Sequence, residues 1–127
     1  MHIFPKDTLT TNYTAENENT MLTRDTSLTV VERIRRDPRF AKGMLSEAAT
    51  VFLGGEPEAA RLMLRDIVNG TLGFENLADL TGLPPKSLHR MLSSRGNPAM
   101  DNLAAIFEAI TGHLHVNVEA KATSKAA

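Results

Sequence analysis

The chain has 127 residues, 42% of them apolar, which suits one modest domain with its own core. Its formal net charge is −1, so overall basicity does not mark a nucleic-acid binder, and any such surface must be a local patch. The absence of cysteine excludes disulfides, thiolate metal sites and cysteine nucleophiles, and no apolar run approaches the roughly 20 residues of a membrane span.

Residues 1–26 are poor in core residues and rich in Thr, Asn and Glu, so they are expected to form a disordered or loosely docked tail, with Ile3 and Phe4 as anchors for its tip. The N-terminus lacks the basic-then-apolar layout of a secretory signal, and a cytoplasmic location is expected. A folded domain is predicted over residues 27–119, followed by a flexible tail at 120–127. Ser27 reads as the N-cap of a first helix carrying Val30, Val31 and Ile34. That helix should stop near Asp37, because Pro38 disfavours helical backbone at the residue before it. Asp37 then caps a second helix with Pro38 at its first position. In it Ala41, Met44, Leu45, Ala48, Ala49 and Phe52 share one face, and Gly54-Gly55 ends it. Pro57 opens a third helix, with Ala60, Met63, Leu64, Ile67 and Val68 at helical spacing and Gly70 as its stop. Arg33, Arg35, Arg36 and Arg39 are interleaved with Glu32 and Asp37 and read as a solvated helix end.

Phe74–Ser93 has the layout of a helix-turn-helix. Ala78 supplies the small residue that two crossing helices need, and Gly82, four positions later, accepts the positive φ of a tight turn. Leu77, Leu83, Leu88 and Met91 point back to the core. Pro84 is held extended by the proline after it, and Pro85 suits the first turn of a helix, so the second helix has a fixed start. From Gly82 to Pro98 the chain carries Lys86, Arg90 and Arg95 and no acid. A local positive surface on a near-neutral chain is what a groove contact requires. Lys86, Ser87, His89 and Arg90 project from the first turns of the presumed recognition helix, the part that reads base edges in such motifs. Ser93, Ser94 and Arg95 follow it and suit phosphate contacts.

A last helix carries Leu103, Ile106, Phe107 and Ile110 and is expected to close at Gly112. Beyond it Leu114, Val116 and Val118 alternate with His115, Asn117 and Glu119, which predicts a short half-buried β-strand. An isolated strand must pair with something, so Leu114, Val116 and Val118 are predicted at a dimer or partner interface. The expected fold is mainly α, a five- to six-helix bundle with a lambda-repressor-like helix-turn-helix and this short C-terminal β-strand. No nucleophile–base arrangement, phosphate loop or metal-ligand spacing stands out. His113 and His115 read as solvent-facing polar residues, and no cofactor, metal or enzymatic activity is expected.

The run LRDIVNGTLGFENLADLTGLPPKSLHRMLSSRGNP (Leu64–Pro98) resembles the addiction-module antidote proteins, the HigA-like, XRE-type helix-turn-helix antitoxins of type II toxin–antitoxin pairs. GLPPKSLHRML and RGNP are its most specific pieces, and the similarity extends over roughly Ser27–Val118. The resemblance implies two jobs. One is to neutralise a small RelE/ParE/HigB-like toxin. The other is to repress the shared operon by binding a palindromic operator as a dimer. A stand-alone transcription regulator without a toxin is the alternative.

Overall fold

The computed structural model describes residues 20–126. Among them six helices follow one another: α1 (Thr20–Arg36), α2 (Pro38–Leu53), α3 (Pro57–Gly70), α4 (Gly73–Thr81), α5 (Pro85–Met91) and α6 (Met100–Leu114). They form a helical bundle. The tail expected at 1–26 lies outside the described residues up to residue 19, and its last seven residues belong to α1.

The helix α3 is central: α1 and α2 pack on one another and on it, and α4 joins it to α5 and α6. Its position follows from its residues. Ala59, Ala60, Leu62, Met63, Leu64, Ile67 and Val68 are all buried, so α3 is covered over much of its circumference. On α2 the buried side chains are Phe40, Ala41, Met44, Leu45, Ala48 and Val51, while Phe52, expected inside, is 37% exposed at the helix end. Glu47 is buried on the same helix, and its Oε2 has no hydrogen-bond partner.

The start of α2 is as its sequence predicts. The Asp37 carboxylate accepts from the amides of Arg39 (3.1 Å) and Phe40 (3.2 Å), with Pro38 in the first turn. Ser27 is not a cap. It lies inside α1, and its hydroxyl donates to the carboxylate of buried Asp66 on α3 at 2.5 Å. A long-range partner has replaced the local one. Two of the neighbouring arginines also have structural work. Arg33 lies 4.3 Å above the Phe40 ring, and Arg35 donates to the Asn69 carbonyl in the last turn of α3 at 3.2 Å.

The C-terminal strand is not formed. Helix α6 runs through Gly112 to Leu114, which is half-buried, and ends at His115 in a left-handed conformation (φ 55°). The Val116 amide donates back to the Thr111 carbonyl at 3.1 Å, and residues 116–126 have no regular secondary structure. The period-two pattern was ambiguous, since Leu114 also continues the helical stripe of Leu103, Ile106, Phe107 and Ile110. A glycine inside a helix costs only about 1 kcal/mol, which packing of the flanking turns offsets.

Candidate nucleic-acid interface

Helices α4 and α5 are joined by a tight turn whose geometry is set residue by residue. Gly82 adopts φ 74°, the left-handed region that a residue with a side chain avoids, and its amide donates to the Ala78 carbonyl at 2.8 Å. The Thr81 hydroxyl donates to the Leu77 carbonyl (2.8 Å) and accepts from the Leu83 amide (3.3 Å). Pro84 is extended (φ −63°, ψ 142°), and Pro85 opens α5, so the second helix starts where the double proline predicts. Leu77 and Leu88 are fully buried, while Ala78, Leu83 and Met91 are partly buried against the same core.

That anchoring fixes which face of α5 reaches solvent. Leu88 points inward, and Lys86, His89 and Arg90, at helical spacing, lie exposed together. Ser87 is half-buried at the edge of this face. Ser93 and Ser94 are half-buried in the turn after α5, and Arg95 is exposed there. The seven residues singled out from the sequence therefore fall on one helix and the turn after it. On α4 the charge is opposite, with Glu75 and Asp79 exposed, so within the helix-turn-helix the positive surface is confined to α5 and its following turn.

The side chains of two of the seven are engaged within the chain. The His89 ring stacks on Phe74 of α4, with centroids 3.8 Å apart and planes 19° from parallel. The Ser93 hydroxyl donates to the Arg90 carbonyl at 2.7 Å.

Three residues of the site were not marked by sequence reading. Phe74 is the platform under His89. Arg61, half-buried on α3, donates to the carbonyls of Ser93 and Ser94. Gly96 is buried so close to the end of α5 that a β-carbon there would overlap the carbonyl oxygens of Arg90 and Met91. The available signal for Arg61 was a cation in the buried run Ala59–Leu64, but its partners lie 32 and 33 positions away.

The residues predicted at an interface behave differently from one another. Leu114 and Val116 pack partly against the core of their own chain. Val118 is 38% exposed. With Phe52, Leu53, Phe107 and Thr111 it lines an open groove of about 430 Å³. No group of three or more metal-ligating side chains converges among the described residues. No helix among them is long and apolar enough to cross a membrane. No family model, no curated protein and no solved structure matches the chain.

Proposed function

We propose that this chain is a helix-turn-helix regulator that binds double-stranded operator DNA through α5, as a homodimer on a palindromic site. The observation that carries it is the acid-free exposed face of Lys86, His89 and Arg90 on a short helix seated by the Gly82 turn. A helix so placed fits the major groove, where Arg90 is positioned to read guanine O6 and N7 and Lys86 to meet phosphate. One short helix reads only a few base pairs. Two of them about 34 Å apart read successive faces of a two-fold site, which is the reason for expecting a dimer.

The resemblance to addiction-module antidotes adds a second job, neutralisation of a RelE/ParE/HigB-like toxin encoded beside this gene. The exposed apolar side chains Leu53, Phe52 and Val118 around the groove support a protein partner, either that toxin or the second subunit. On this reading Leu114, Val116 and Val118 belong to the contact, with Val118 the most accessible of them.

Selection of duplexes from a random pool, followed by anisotropy titration, tests the DNA claim. A recovered two-fold sequence whose binding falls in Arg90→Ala is the expected result. Failure to enrich any duplex would overturn it. Co-purification with the product of the adjacent gene, and suppression of that product's toxicity, tests the antitoxin claim. A chain that binds its operator yet ignores the neighbour is the stand-alone regulator.

A further inference from the structure

We infer that Arg61 is a positioning residue for DNA binding: from α3 it clamps the turn Ser93–Gly96 and so fixes where Arg95 meets the phosphate backbone. The inference rests on the DNA-binding reading above and adds to it a residue outside the helix-turn-helix.

The geometry is that of a fork. Arg61 Nε donates to the Ser93 carbonyl at 3.0 Å, and Nη2 donates to the Ser94 carbonyl at 2.8 Å. Two donors on one rigid plane, meeting two successive carbonyls, fix the orientation of the peptide between them. The Ser93 carbonyl also accepts from the Gly96 amide at 3.1 Å, which closes a four-residue turn. Gly96 is pressed onto the last carbonyls of α5, so the turn has no room to slide along the helix. Arg95 is the third residue of this turn, and its side chain is exposed.

The other end of the clamp is equally fixed. Ala60, Leu62, Met63 and Leu64, on either side of Arg61, are each 3% exposed or less. The stem of Arg61 thus starts from a fully packed stretch of the bundle. The two groups it is bonded to are neutral backbone carbonyls. A lysine offers a point donor rather than a fork and holds one carbonyl at a time.

A double-mutant cycle on duplex DNA tests this. The probe is the duplex enriched by the wild-type protein. Arg61→Met and Arg95→Ala are each expected to weaken binding about tenfold, and the double variant no further than the weaker single, because an unclamped turn no longer presents Arg95. Arg61→Lys should recover only part of the loss. In the free protein, hydrogen exchange at the Gly96 amide should accelerate about tenfold in Arg61→Met, while the amides of Leu64 and Val68 keep their protection. Losses that multiply in the double variant would make Arg61 an independent contact and overturn the inference. So would wild-type binding in Arg61→Met. If Arg61→Met does not fold, the same cycle run with Arg61→Lys decides. A wild-type protein that enriches no duplex brings down the DNA reading itself, whereas multiplying losses bring down only the clamp.

Discussion

The α2–α3 pair and helix α5 are held in opposite ways. The pair buries most of two long faces against each other and against α1, so its place is set by apolar area. Each fully buried Leu, Met or Ile contributes about 1.5–3 kcal/mol. Helix α5 has seven residues and buries one of them, Leu88. A helix that short is not stable alone. Its start is fixed by Pro84 and Pro85, its approach by Gly82, and its end by Gly96 and Arg61. Stability thus sits in one part of the molecule and the candidate recognition surface in another, and the second is positioned by the first.

The largest test of this division is in the core. Met63→Ala removes a fully buried side chain from α3 and should cost about 2–5 kcal/mol in denaturant unfolding. DNA binding should then fall only as far as the folded population does. Arg90→Ala tests the other side. It should leave unfolding within about 0.5 kcal/mol of wild type, yet lose about 1–3 kcal/mol of operator affinity and relax specificity at one base position. Equal stability losses in the two variants would erase the contrast. Asp37→Ala sharpens it within the scaffold. Removing the α2 cap should lower stability by about 1 kcal/mol without changing the affinity of the folded protein. The smallest expected effect is that of Lys86→Ala, which should weaken binding to all duplexes alike and flatten the salt dependence of log K by about one unit. If Lys86→Ala instead altered the preferred sequence, Lys86 would face a base rather than phosphate.

Sequence reading is most successful where the determinant is local. The Asp37-Pro38 junction, the buried stripes of α2 and α3, the left-handed Gly82 and the double-proline start of α5 are each written within a few neighbouring residues. It failed where the determinant is distant or shared by two patterns. Ser27 has the chemistry of an N-cap, but Asp66, 39 positions away, takes its hydroxyl into a side-chain bond from the middle of α1. Leu114 satisfies both a strand alternation and the α6 stripe, and the stripe prevails: the helix runs through Leu114 and the Val116 amide bonds back to the Thr111 carbonyl. Of the candidate interface, the placement of Lys86, His89 and Arg90 on one face follows from helical spacing alone. The fork of Arg61 and the Phe74 platform are tertiary contacts and leave no periodic trace.

The stacking of His89 on Phe74 bears on how such a surface would diversify. Lys86 and Arg90 project into solvent, so either position is open to exchange without disturbing the bundle. His89 shares a ring-to-ring contact with α4, so a replacement there also uncovers an aromatic face. A library that varies residues 86 and 90 alone should yield folded proteins whose affinity changes through residue 86 and whose sequence preference changes through residue 90. One that varies 89 should succeed mainly when position 74 varies with it. Under the proposed function, affinity would drift quickly at residue 86, operator preference quickly at residue 90, and residue 89 would change only in paired steps with residue 74.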